Sequence, residues 1–199
     1  MESNGLAVVI SGPSGAGKST VCRRLAETYD YSLSISVTTR RPREGEEPGR
    51  DYDFISRKVF DEMVRNGELL EHSEHFGSCY GTPRAAVEAA LRAGRVILLE
   101  IDVNGAEQLK AELPGAVAIF LKAPSREETE RRLRGRRSED ETAIRTRLER
   151  ARMEESKAGA TDKADGRVFD HVVVNDDLDA VVERIHRIIT REASRRNGC

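Results

Sequence analysis

Short apolar runs alternate along this chain with segments in which apolar residues recur every three or four positions. Leu6 to Ile10 and residues 95–101 (RVILLEI), 116–122 (AVAIFLK) and 169–175 (FDHVVVN) read as buried strands. YSLSISV (31–37) alternates Tyr31, Leu33, Ile35 and Val37 with serines and predicts one further strand. From Lys18 onward, Val21, Cys22, Leu25 and Ala26 share one helical face. Val59, Phe60, Met63 and Val64 mark a short helix that Asn66-Gly67 stops. Thr82 as cap and Pro83 as first residue predict another, with Val87, Ala90 and Leu91 on its face and Gly94 closing it. A short helix follows over 104–112. Ser125-x-x-Glu128 and Ser138-x-x-Glu141 fit capping boxes and predict a helix pair joined by GRR at 135–137. Residues 157–167 (KAGATDKADGR) read as a mobile loop. Leu178, Val181, Val182, Ile185, Ile188 and Ile189 give a strongly amphipathic last helix.

Five short buried strands separated by helices predict an α/β fold, a parallel sheet covered by helices on both faces. Residues 38–82 interrupt that alternation. They hold a charged, Gly- and Pro-rich loop (40–53), the Val59 helix, and short strands around Gly77 within 68–81. This segment reads as an inserted lobe.

Composition narrows the partners. The 199 residues suit one domain with insertions and are ample for a core. Charged residues make up 34% and hydrophobic residues 38%, which fits a well-solvated folded chain. The formal net charge is −2, so no general basic field steers nucleic acid or anionic membrane. The longest apolar run, Ala116 to Leu121, is too short to span a bilayer, and MESNGLAVVI does not resemble a signal peptide. Cys22, Cys79 and Cys199 are scattered without metal-ligand spacing, so reduced thiols in a cytoplasm are expected.

The chemistry begins at SGPSGAGKST (11–20). Gly12 to Ser19 fits G-x-x-x-x-G-K-[ST], between a strand and a helix, which is the context a phosphate loop needs. Glycines let successive N–H groups turn toward a polyphosphate, and the helix dipole adds to them. Gly12, Pro13, Ser14, Gly15, Ala16, Gly17, Lys18, Ser19 and Thr20 are therefore expected to bind ATP. Lys18 would reach the β- and γ-phosphates, and Ser19 would ligate Mg²⁺. Glu100 and Asp102 end the strand in LLEID, where an acid can hold Mg²⁺ or its waters. The bland alternatives are a Gly-rich connecting turn and two solvated acids.

The loop predicts a donor and leaves the acceptor open. TTRRPREGEEPGRDYDF (38–54) carries Arg40, Arg41, Arg43 and Arg50, besides Tyr52. Arg40 and Arg43 bracket a rigid Arg-Pro pair and suit bidentate phosphate binding, although a charge run is by default a solvated surface. A phosphate monoester acceptor, with a second pKa near ~6, needs charge neutralisation more than a general base.

SISVTTRRPREGEEPGRDYDF, LLEHSEHFGSCYGTP, LLEIDVNGA, RRLRGR and VVVNDDL follow GPSGAGKST in this order. Together they resemble the guanylate kinase family from about residue 6 to 189. The resemblance implies transfer of the γ-phosphoryl group of ATP to GMP or dGMP, with Mg²⁺. It implies a phosphate-loop core (1–37, 83–124 and 148–199), a GMP-binding lobe (38–82) and a lid (125–147). By matching position, Ser36, Glu71 and Thr82 would hold guanine, and Arg40, Arg43, Tyr52 and Tyr80 the GMP phosphate. Glu100 and Asp102 would face the Mg²⁺ and acceptor region; Arg132, Arg136 and Arg147 would come from the lid side, with Lys18 and Arg40, to the transferring group. Departures are modest: Arg137 stands where the family commonly has glycine, Phe169 where it has tyrosine, and the 157–167 loop looks long.

Two of these assignments also have a direct physical sense. Guanine offers N1–H and a 2-amino group side by side, and the Glu71 carboxylate can accept both; adenine would leave that charge unpaired. RRLRGRR packs Arg131, Arg132, Arg134, Arg136 and Arg137 together, and a helix would put Arg132 and Arg136 on one face. The competing readings are a non-catalytic guanylate-kinase-like module that binds phosphoproteins, and a different small-molecule kinase on the same fold. The first typically loses the phosphate loop; the second leaves Ser36, Glu71 and Thr82 unexplained.

Overall fold

A computed structural model describes residues 5–75, 77–135, 141–160 and 168–197. The chain opens with β1 (Leu6–Ser11), α1 (Lys18–Tyr29), β2 (Ser32–Leu33), β3 (Val37–Thr38), β4 (Asp53–Phe54) and α2 (Arg57–Arg65). It continues through β5 (Leu69–His75), β6 (Ser78–Pro83), α3 (Arg84–Arg92), β7 (Val96–Glu100) and α4 (Val103–Glu112). The last elements are β8 (Val117–Lys122), α5 (Arg126–Arg134), α6 (Glu141–Ala160), β9 (His171–Val174) and α7 (Leu178–Asn197).

The large sheet has the order β2-β7-β1-β8-β9, and every pairing in it is parallel. Strict alternation along β1 separates two buried layers. Leu6, Val8 and Ile10 pack with Val21 and Leu25 of α1 and Ile185 and Ile189 of α7. Ala7 and Val9 pack with Val87 of α3 and Leu109 of α4 on the other face. Each large aliphatic side chain fully buried here stabilises by about 1.5–3 kcal/mol. The predicted helix-covered parallel sheet is what these residues form.

A smaller sheet, β4-β3-β6-β5, is built from residues between 37 and 83. β5 and β6 are antiparallel, with Glu71 opposite Thr82. Val37, Phe60, Leu69 and Cys79 form its own small core.

Five expectations need correction or fall outside the described residues. The strand read over 31–37 is two strands in two sheets. Ser32–Leu33 pair with β7, whereas Val37–Thr38 pair with β4 and β6. Alternation registers a pleat but not which neighbour supplies the ladder, and here the chain crosses between sheets at Ser34–Ser36. Thr82 does not cap a helix. It lies in β6, fully buried, and its hydroxyl donates to Glu71; Pro83 is the extended cap residue and α3 starts at Arg84. The loop read over 157–167 begins too early, because α6 runs through Ala160; residues 161–167 lie outside the described residues. So do residues 136–140, with Arg136, Arg137 and the Ser138 half of the second capping box. The first box is half made: the Ser125 hydroxyl accepts from the Glu128 N–H, but the Glu128 carboxylate takes Arg131 and Arg132.

Candidate active site

Parallel register explains why the site forms where it does. Ile10 lies beside Glu100, so the loop that leaves β1 emerges next to the acidic end of β7. Ligands in such sheets sit beyond the carboxyl ends of the strands. Gly17 caps α1 with φ 90, a backbone region that other residues rarely adopt, and a Cβ there would strike the Asn175 amide. The first intrahelical bond runs from the Val21 N–H to the Gly17 carbonyl. The N–H groups of Lys18, Ser19 and Thr20 therefore lack intrahelical acceptors and are available to an anion.

The loop is braced from behind. The buried Asn175 Nδ2 donates to the Ala16 carbonyl at 2.7 Å. Arg132 donates to the Asn175 carbonyl at 3.0 Å and to the Ala16 carbonyl at 3.4 Å. In front, Lys18 Nζ donates to the carbonyls of Gly12 (2.6 Å) and Pro13 (3.1 Å). Arg147 of α6 reaches over and donates to the Ser14 hydroxyl at 3.2 Å.

Ser19 and Glu100 meet directly: the hydroxyl donates to Oε1 at 2.7 Å. Asp102 does different work. Its Oδ1 caps α4 by accepting the Gly105 N–H at 2.9 Å, while Oδ2 accepts Ser73 at 3.0 Å and bonds His75 Nε2. Burial alone would raise its pKa, but these donors outweigh burial and hold it well below the usual carboxylate range.

In the small-sheet lobe, Arg40 grips Glu46 through both guanidinium arms, each at 2.6 Å. Glu46 also accepts the Arg43 N–H at 2.8 Å. This fork is the geometry that a phosphate accepts as well. Arg40 lies 4.9 Å above the Tyr52 ring, and Tyr52 meets Tyr80 edge-on at 6.0 Å. Burial, then Glu100, pushes the Tyr52 hydroxyl up to about 12, so it stays a donor at neutral pH. Glu71 is only 4% exposed. Its Oε1 accepts the Thr82 hydroxyl at 2.7 Å, and burial raises its pKa to about 7. Helix α4 leaves it room: a Cβ at Gly105 would lie 2.5 Å from Glu71 Oε2.

One cleft of about 230 Å³ gathers most of the expected residues. Gly12, Ser14, Lys18, Glu100 and Arg147 line it at the phosphate loop, and Ser36, Arg40, Arg43, Tyr52, Glu71 and Tyr80 on the side of the small sheet, together with Asp102. Thr82 sits beneath, buried and touching Glu71. Pro13, Gly15, Ala16 and Gly17 shape the loop; Ser19 and Thr20 are exposed at the start of α1. Arg132 does not line the cleft but braces the loop from behind.

Several residues escaped sequence reasoning: Glu46, Ser73, His75, Arg150, Glu154 and Asn175. For some the signal was there. Glu71, Ser73 and His75 are two apart along a strand and must share a face. Arg147, Arg150 and Glu154 recur at helical spacing on α6. Nothing local points to Asn175, which only the fold brings to Ala16.

Comparison with known proteins agrees with this geometry. The family model described as guanylate kinase matches residues 4–192. A guanylate kinase of Parasynechococcus marenigrum (strain WH8102) is 50% identical over 93% of this chain and 98% of its own. One of Synechococcus sp. (strain CC9902) is 47% identical over 93% of this chain and 95% of its own. The crystal structure of guanylate kinase from Anaplasma phagocytophilum aligns with a TM-score of 0.76 at 36% identity, covering 97% of this chain and 88% of that one. These matches along nearly the whole chain, with a phosphate loop at the end of β1 and an arginine-lined cleft beside a buried glutamate, make it a member of the guanylate kinase family.

Proposed function

We propose that this chain transfers the γ-phosphoryl group of ATP to GMP, and to dGMP, yielding ADP and GDP or dGDP. The observation that carries this reading is that one cleft joins Lys18 and the phosphate loop to Arg40, Arg43, Tyr52, Tyr80 and Glu71. ATP phosphates bind the loop N–H groups and Lys18, whose ammonium turns from the Gly12 and Pro13 carbonyls to the β- and γ-oxygens. Guanine donates N1–H and its 2-amino group to Glu71, with Ser36 and Thr82 beside it. The acceptor phosphate takes Arg40, Arg43 and the two tyrosyl hydroxyls, which neutralises it so that the two anions can approach. Arg147, held at Ser14, adds positive charge from α6. Arg132 stiffens the loop.

Mg²⁺ fits the donor set. Ser19 and Glu100 present hard oxygens in contact with each other, and Mg²⁺ is usually held by one or two carboxylates plus substrate phosphates. Bound there it would neutralise charge on the β- and γ-phosphates. Asp102, whose oxygens already serve Gly105, Ser73 and His75, orders the acceptor side instead.

The domain reading follows the site: residues 38–82 form the GMP lobe and residues 125–147 the lid, on a phosphate-loop core. Among the described residues no helix is long and apolar enough to cross a membrane. We expect a cytoplasmic enzyme that uses neither nucleic acid nor membrane. Coupled measurement of ADP release with ATP and each of GMP, dGMP, AMP, CMP and UMP tests the reading. Turnover with GMP and dGMP alone is expected. No ADP release at millimolar GMP overturns it.

A further inference from the structure

The imidazole of His75 stands where three elements meet. His75 ends β5 of the small sheet, and its Nε2 bonds the Asp102 carboxylate at the N-terminus of α4. Arg150 of α6 brings Nη2 to 2.9 Å from His75 Nδ1 and 3.1 Å from Nε2. Glu154, one turn further on, accepts Arg150 Nε at 2.8 Å and fixes the plane of the guanidinium. These groups are half-buried: the side chains of His75, Asp102 and Arg150 are 17%, 20% and 31% exposed. Such a bond is shielded from the screening that empties most surface pairs of their worth.

An ionised carboxylate only accepts, so the Nε2 facing Asp102 must donate. The one Arg150 Nη2 lies within 3.1 Å of both ring nitrogens, which sets the guanidinium against the face of the imidazole. Arg147 lies one turn before Arg150 on the same helix and reaches the Ser14 hydroxyl. Helix α6 is thus held at the donor loop by Arg147 and at the acceptor sheet by Arg150.

We propose that His75 is a positioning residue that fastens α6 to the acceptor sheet and thereby sets Arg147 over the phosphate loop. It touches neither substrate in this role. The proposal rests on the two-substrate kinase reading and makes the joint between the two half-sites a hydrogen-bonded histidine. His75→Leu removes both ring nitrogens. His75→Gln keeps a donor and an acceptor.

The test is a double-mutant cycle on the full chain with His75→Leu, Arg150→Met and the pair. Each single variant is expected to lower kcat with GMP roughly tenfold, the size of one charge-assisted hydrogen bond. KM for ATP should stay within about twofold, because the loop itself is untouched. The double variant should be no worse than the weaker single, and His75→Gln should recover most of the rate. Losses that multiply in the double variant, or a His75→Gln variant as slow as His75→Leu, overturn the proposal. A lowered melting temperature with unchanged kcat per folded molecule also overturns it, since the ring would then be purely structural. Nitrogen chemical shifts of the His75 ring judge the Asp102 bond independently of turnover: a protonated Nε2 supports it, and a bare Nε2 refutes it. A wild-type chain that fails with GMP would sink the kinase reading alone, and the ring shifts would still judge the tether.

Discussion

Thr82 donates its hydroxyl to Glu71 Oε1 at 2.7 Å across the β5–β6 ladder, in a pocket where Glu71 is 4% exposed. One donor does not compensate that much lost hydration, so the carboxyl keeps its proton up to about pH 7. The folded chain therefore binds a proton that the unfolded chain releases from about 4.5 upward. Stability should fall as pH rises through that window, by roughly 3 kcal/mol for this group when fully ionised. Glu71→Gln cannot ionise. Its stability relative to wild type should rise between pH 5 and 8, as denaturant melts across that range would read. The same variant offers guanine one acceptor instead of two, so kcat/KM for GMP should drop on the order of 100-fold with ATP binding intact. Unchanged GMP selectivity would refute the base-readout role.

Gly105 predicts a second route to the same loss. Its missing side chain is the space that Glu71 Oε2 occupies, and an added Cβ would lie 2.5 Å away. Gly105→Ala should push the carboxylate off its position. We expect KM for GMP to rise about tenfold or more while KM for ATP holds. Glu71→Asp, harmful by itself, should ease the clash when combined with Gly105→Ala. A double variant worse than both singles would show that the space serves something else.

At the donor end, Lys18→Ala should abolish turnover. Its ammonium now bridges the Gly12 and Pro13 carbonyls at 2.6 and 3.1 Å, within the loop that would hold the phosphates. ADP release in the coupled assay reads the effect; retention of even a tenth of the wild-type rate would contradict the phosphate-contact role.

Ser19→Ala removes the hydroxyl that pairs with Glu100. The variant should need substantially more Mg²⁺ for half-maximal rate, and a titration of rate against Mg²⁺ concentration measures this. An unchanged midpoint would move the cation away from Ser19.

Asn175→Leu tests the brace. The Ala16 carbonyl would lose its 2.7 Å donor and keep only the 3.4 Å contact from Arg132. A buried carbonyl left short of donors costs about 1–3 kcal/mol, visible in a denaturant melt. The loosened loop should raise KM for ATP and leave KM for GMP alone. The opposite split would place Asn175 in the acceptor half.

Much of this was legible along the chain because its physics is local. The unbroken apolar runs of β1, β7 and β8 reflect burial of both strand faces, and the period near four in α1 and α7 reflects burial of one helix face. The phosphate loop is contiguous, so Gly12 to Ser19 announce it directly. Thr82 was misread because a threonine before a proline looks like a cap until β5 claims it for a ladder. The 31–37 stretch was misread because alternation is the same in either sheet. His75 and Arg150 were within reach as the next positions on the faces of Glu71 and Arg147, but nothing along the chain says that those two faces meet.

The amino-acid sequence by itself determined a helix-covered parallel sheet, a phosphate loop at the end of its first strand, and the set of charged residues available to a second substrate. These follow from periodicity and from contiguous motifs, which depend on neighbours a few residues away. Tertiary structure alone decided which charges face each other. Asn175 reaches Ala16 from 159 residues away, and β5 delivers both Glu71 to its pocket and His75 to Arg150. Hydrogen bonds act over about 3 Å, and that distance is set by strand register and helix packing rather than by separation along the chain.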